Sequence, residues 1–157
     1  MHSPVEPKEL RRAYAVFPSG VVALLGRVDG TVTGLAVSAF ASVSLSPPLV
    51  AVFLRNDSVT WPWLRRADRL GISVLRDGQG DLARQLAGPV GRRLDGVELC
   101  DGDIPLIADS AARFEVTIDD QSPAGDHTMV LLRVHRTEID DACSPLIFHR
   151  SGFATLR

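Results

Sequence analysis

Residues 34–48 read GLAVSAFASVSLSPP, and residues 49–54 continue at once as LVAVFL. The first run is an apolar strand into which Ser38, Ser42 and Ser44 place three hydroxyls, and Pro47-Pro48 ends it rigidly. A strand that only packs gains little from serines so close together. One that lets its backbone approach a flat polar ligand gains short side chains and free donors. The competing account is a twisted edge strand whose serines meet water. Leu49–Leu54 is apolar throughout, the pattern of a strand buried on both faces.

Working outward, Val21–Arg27 reads as a strand, Asp29-Gly30 as a hairpin turn and Thr31–Phe40 as the returning strand. Upstream, Leu10, Ala13, Tyr14 and Phe17 recur at helical spacing after Pro7, which suits a first turn. Downstream, Arg55-Asn56-Asp57-Ser58 breaks the strand, and Thr60 is placed to cap a short helix running from Trp61 to Ala67. Leu70–Leu75 is a strand. Asp81–Ala87 is a helix stopped by Gly88, and Pro89–Pro105 is a charged, Gly-rich loop. Strands Ala112–Ile118, Thr128–Ile139, Pro145–Arg150 and Phe153–Leu156 follow, the last two joined by Ser151-Gly152. About seven strands and two or three short helices predict a mainly β fold. Few strands alternate cleanly enough to have one wet face, which favours an antiparallel barrel over a sandwich.

The 157 residues suit one domain, 1–157, with a core that needs no metal or disulfide. With 45% hydrophobic and 23% charged residues and a formal charge of −2, the chain lacks the basic footprint of a nucleic-acid binder. Arg65-Arg66 and Arg92-Arg93 are short clusters flanked by acids and read as solvated surface. Cys100 and Cys143 form no CxxC, and the scattered histidines have no zinc spacing, so no metal site is expected. Free thiols, no apolar run of membrane-spanning length and no signal-like N-terminus point to a cytoplasmic protein off the membrane.

Gly78-Gln79-Gly80-Asp81-Leu82-Ala83 matches the G-x-G-x-x-G/A dinucleotide fingerprint, with Asp101 at the spacing of a ribose-binding acid. That fingerprint needs a parallel βαβ unit, however, and the flanking chain is β-rich with hairpin signals. The glycines are better read as the turn into a surface helix.

Phe17-Pro18-Ser19-Gly20-Val21, the 34–54 run, Asn56-Asp57-Ser58-Val59-Thr60, the ISVL strand, Gly125-Asp126-His127 and the terminal PLIFHRSGF occur together in order. In that order and spacing the chain resembles the flavin reductase-like family from about Leu10 to Leu156. It departs from many relatives at Ser38-Ala39, where Asn-Ser is common, and at Leu35, where Met is common. The resemblance implies a Greek-key, antiparallel split β-barrel with a few flanking helices, usually a homodimer. It implies an NAD(P)H-dependent reductase that passes hydride from NADH or NADPH to FMN or FAD, often supplying a separate oxygenase.

On that basis Ala36, Val37 and Ser38, with Ser42, Val43 and Ser44, are candidates for the flavin's polar edge. Ser58, Thr60 and Arg55 are candidates for its phosphate, since a helix start and a guanidinium both favour an anion. His127 is the candidate catalytic residue beside the nicotinamide, with Asp126 fixing its tautomer. His149 and Arg150, beside Phe153, are candidates to approach the flavin or the dimer neighbour. Trp61 and Trp63 are read as core. A flavin-binding electron carrier, a non-catalytic split-barrel binding protein and a pyridoxine-type oxidase are the alternatives.

Overall fold

The computed structural model describes residues 4–156. Its elements are α1 (Pro7–Tyr14), β1 (Ser19–Gly20), β2 (Val22–Val28), β3 (Thr31–Val37), β4 (Phe40–Leu45), β5 (Pro48–Arg55), α2 (Trp61–Leu64), β6 (Leu70–Val74), α3 (Gly80–Leu86), β7 (Ala112–Ala124), β8 (His127–Ile139), β9 (Ile147–His149) and β10 (Gly152–Ala154). A 3₁₀ turn at Val90–Arg92 lies between α3 and β7.

Seven strands form one antiparallel sheet in the order β3-β2-β6-β7-β8-β5-β4, and β1-β9-β10 make a small second sheet. The β2–β6 and β5–β8 neighbours are far apart in sequence, which gives the Greek-key character. β3 and β4 are the two edges. The Phe53 N–H of β5 donates to the Ala39 carbonyl at 3.0 Å, which extends the β4–β5 ladder by one rung, and β3 approaches β5 where the two line one cleft, the curl of a split barrel.

β2 shows how one strand serves two cores. Val22 and Leu24 face the barrel interior with Val52, Ile72, Val116 and Leu132. Ala23 and Leu25 face outward beneath α3, where they meet Ala83, Leu86 and Leu146. Side chains alternate along a strand, so a continuous apolar run fits only a strand covered on both faces. Each fully buried leucine here stabilises the fold by about 1.5–3 kcal/mol.

The largest departure from the sequence reading falls within residues 34–48. Thr31–Phe40 is not one strand: β3 stops at Val37, the chain turns at Ser38-Ala39, and β4 begins at Phe40 on the opposite edge of the sheet. β4 pairs with β5 and carries a bulge between Ser42 and Ser44. The strand expected over 112–118 continues to Ala124, because β7 and β8 form a long ribbon closed by Gly125 (φ 64°) and Asp126. α1 ends at Tyr14, not Phe17, and leaves Tyr14 69% and Phe17 80% exposed.

The 89–105 loop is anchored: Leu94, Val97 and Leu99 pack on the outer core. The Gly78–Ala83 run sits between antiparallel strands and is held by ordinary side-chain bonds. Gln79 Oε1 accepts from the Arg76 N–H at 2.8 Å, and a Cβ on Gly80 would come within 2.8 Å of the Phe153 ring. Those glycines serve turn geometry and close packing. Among the described residues, no helix is long and apolar enough to cross a membrane.

Candidate active site

A cleft of about 450 Å³ opens where the end of β3 meets the β5–α2 corner, the end of α3 and the 89–105 loop. Its floor is small and apolar: Leu35, Ala36 and Val37 from β3, Phe53 and Leu54 from β5, Leu86 and Ala87 from α3. Because β3 is an edge strand, half of its peptide groups point away from β2 and are free for a ligand. The short side chains of Ala36, Ser38 and Ala39 leave that backbone open. An apolar annex of about 260 Å³ shares Ala36, Ser38 and Ala87 with the cleft and is walled by Phe148 and Phe153. Those rings lie 5.6 Å apart, and the Arg84 guanidinium sits 4.7 Å above the Phe153 ring.

His127 enters at the rim. It is the first residue of β8, paired across to Arg55 of β5. Asn56 ties this hairpin end down: its N–H donates to the Asp126 carbonyl at 2.9 Å and its Nδ2 to the Gly125 carbonyl at 3.2 Å. Thr128 Oγ1 donates to Asn56 Oδ1 at 2.8 Å. The His127 Nδ1 lies 2.7 Å from Asp126 Oδ1, which leaves Nε2 as the ring atom available to a ligand.

That hydrogen bond, together with the imidazole's charge, holds the Asp126 carboxyl below its ordinary value of 3.8. A carboxyl depressed by folding stabilises the protein above its unfolded pKa and loses that contribution as pH falls through the lowered value. Asp126→Asn is therefore expected to melt below the wild type at neutral pH. The gap should narrow as pH falls below 3.8 and close beneath the lowered value of Asp126. No gap at neutral pH, or one that stays constant in thermal melts down to that acidity, would show that the ionised Asp126 adds no stability through this pair.

Arg93 is the cation the sequence reading missed. Its Nη1 donates to the Gly34 carbonyl at 2.9 Å and to Thr60 Oγ1 at 3.0 Å, and its Nε donates to the Gly88 carbonyl at 2.9 Å. All three acceptors are neutral, and none of the ion pairs among the described residues includes Arg93. A half-buried guanidinium with three oriented bonds and no counter-charge has the chemistry to receive an anion from the cleft it lines. Arg92-Arg93 had read as solvated surface, and no local pattern marks Arg93. The available hint was the apolar set Leu94, Val97 and Leu99, which bends this loop back onto the core.

Of the residues singled out in the sequence, the cleft gathers Ala36, Val37, Ser38, Arg55, Ser58, Thr60 and His127. Thr60 is buried and does not cap α2; Ser58 does, its Oγ accepting the Trp61 N–H at 3.2 Å. Thr60 already has helical backbone angles (φ −87°, ψ −40°), so its hydroxyl is free to accept from Arg93. Arg55 is not an unpaired cation, because Asp57 takes its Nε and Nη2 at 3.0 and 2.9 Å. With only four residues, α2 also brings little helix dipole to the phosphate expected there.

Ser42, Val43 and Ser44 lie on β4, outside the cleft lining, with Ser42 and Val43 exposed. His149 and Arg150 also lie outside it: Arg150 donates its N–H to the Ala15 carbonyl at 2.9 Å beside α1, while their neighbour Phe148 reaches the annex. Trp61 is core, its Nε1 donating to Gln121 Oε1 at 3.2 Å.

A Greek-key split barrel with a flat, backbone-edged cleft, an uncompensated arginine at one side and an imidazole at its rim defines a protein built for a planar, anionic ligand. The comparisons narrow that class. The chain belongs to the family described as flavin reductase like domain, which matches residues 13–157. A flavin reductase of Pseudomonas putida is 31% identical over 156 residues, covering 98% of this chain and 92% of that one. The reductase component of a 4-hydroxyphenylacetate 3-monooxygenase from Thermus thermophilus is 30% identical, covering 93% and 94%. An NADH:FAD oxidoreductase of Streptomyces globisporus, solved with NAD and FAD fragments, superimposes with a TM-score of 0.90 at 31% identity, covering 99% and 98%. Two relatives from Rhizobium meliloti are longer, and the chain spans 50% and 57% of them.

Proposed function

We propose that the chain is an NAD(P)H-dependent flavin reductase that takes FMN or FAD in the 450 Å³ cleft and passes reduced flavin to a separate monooxygenase. The observation that carries this reading is Arg93, a fixed and uncompensated guanidinium beside a flat floor of Leu35, Ala36 and Val37. That arrangement fits a planar ring with a phosphate tail. Bound flavin supplies the two-electron acceptor for a nicotinamide hydride, and the chain's own residues bind and orient. The exposed edge of β3 from Ala36 to Ser38 meets the ring's polar rim. Leu35, Phe53 and Leu86 exclude water from its face. Arg93, with Thr60 locked beneath it, holds the phosphate, and Ser58 keeps the α2 corner in place. His127, its Nδ1 tied to Asp126, presents Nε2 to the nicotinamide or to a proton at the flavin edge.

Anaerobic mixing with NADH tests the assignment, the flavin absorbance bleaching in the wild type. His127→Ala is expected to slow bleaching roughly tenfold or more while flavin affinity stays within a factor of about two. Loss of flavin binding in that variant would remove the role given to His127. A flavin that binds but never bleaches with NADH or NADPH would point to an electron carrier instead.

The same reading takes the chain to be cytoplasmic and homodimeric. Leu45, 96% exposed, and Val43, 51% exposed, on the unpaired edge of β4 support a second copy docking there. Light scattering that gives a monomer mass would exclude it.

A further inference from the structure

β3 runs beneath more than one cavity. Residues 35–39 line the cleft already described, while Thr31, Val32 and Thr33 line a second cavity of about 800 Å³. Val59 and Thr60 wall both, so the two spaces adjoin. Between them, at Gly34, the Arg93 guanidinium bridges the strand carbonyl to Thr60 Oγ1. Thr33 to Ala36 covers roughly 10 Å along an extended strand. The order along β3 is therefore cavity, cation, cavity.

The second cavity has the chemistry of a nucleoside site. Trp63, Val59, Val90 and Leu94 offer apolar and aromatic surface for a base, and Asp29 and Asp95 offer acceptors for hydroxyl or amino donors. Asp29 spends part of its charge on Arg66 at 3.0 Å. Both cavities fall within the roughly 300–1,000 Å³ of small-molecule sites. Among the described residues, the buried side-chain atom with no hydrogen-bond partner is Thr33 Oγ1. Turning that hydroxyl toward the cavity breaks no bond.

We propose that the second cavity takes the adenosine half of FAD, with the diphosphate at Arg93, so that the protein binds FAD in preference to FMN. This rests on the first cleft being the flavin site. A further phosphate on the ribose would face Asp29 and Asp95, which sets this cavity against a 2′-phosphorylated nucleotide.

Gly91 gives a clean test. It lines the second cavity, and a Cβ there would meet nothing within 4 Å, so Gly91→Phe starts its side chain in open space, and a melting temperature equal to the wild type's checks that the fold is kept. Flavin fluorescence quenching should show the wild type binding FAD at least about tenfold tighter than FMN. In Gly91→Phe the FAD dissociation constant should rise about tenfold, while that of FMN moves less than twofold. Equal affinity of the wild type for FAD and FMN would overturn the proposal, as would a variant whose NADH KM rises while FAD binding is unchanged. If neither flavin binds the wild type, the flavin site itself falls, an outcome distinct from loss of the adenosine subsite alone.

Discussion

Arg93→Met is expected to weaken FMN binding by about 10- to 100-fold while changing riboflavin binding by less than threefold. The range follows from the roughly 1.5–3 kcal/mol carried by a hydrogen bond to a charged partner in a partly buried site. Methionine keeps much of the length and flexibility of the apolar stem while the charge is lost. The riboflavin arm separates the two things Arg93 does. It joins three chain segments through Gly34, Gly88 and Thr60, and a purely structural loss would weaken both ligands alike. A selective loss of the phosphorylated ligand identifies the charge as the active element. Ser58→Ala with Thr60→Ala should move FMN in the same direction by less, since those hydroxyls already serve Trp61 and Arg93.

Gly34→Ala should lower the melting temperature by roughly 5–10 °C. A Cβ at Gly34 would run into the Leu24 carbonyl oxygen and the Leu25 side chain, so β3 must shift away from β2 to admit it. Overpacking of this kind costs about 1–3 kcal/mol and sometimes more, and about 2–4 °C is lost per kcal/mol in chains of this size. The same shift moves the Gly34 carbonyl that fixes Arg93, so flavin phosphate affinity should fall along with stability. An alanine variant with wild-type melting and wild-type FMN affinity would show that β3 does not need this close approach. The coupling has a physical origin: one peptide group serves as a packing surface on one side and a guanidinium anchor on the other.

Much of the architecture was legible because it is local. Asp29 and Gly30, at φ 52° and 79°, form the hairpin turn that the sequence predicts. The apolar runs of β2 and β5 and the β6 strand fall within a residue or two of their expected limits. The corner at Ser38-Ala39 was harder to see. AVSAFASV keeps a strand-like composition straight through it, and a two-residue change of direction leaves no trace in periodicity. That one corner sends Ser38 to the cleft and Ser42, Val43 and Ser44 to the opposite edge of the sheet.

From the residues alone came the mainly β class, the hairpin turns, the family resemblance and two of the runs that line the cleft, Ala36–Ser38 and Ser58–Thr60, since each depends on neighbours a few positions apart. Tertiary structure decided which polar groups share a site. It paired Arg55 with Asp57, moved the cap of α2 from Thr60 to Ser58, and carried Arg93 across the molecule to Gly34. Those outcomes depend on how edge strands curl and loops pack back. Contacts between residues 59 positions apart, as in the Arg93–Gly34 bond, are set by the closure of the barrel and leave no local pattern to read.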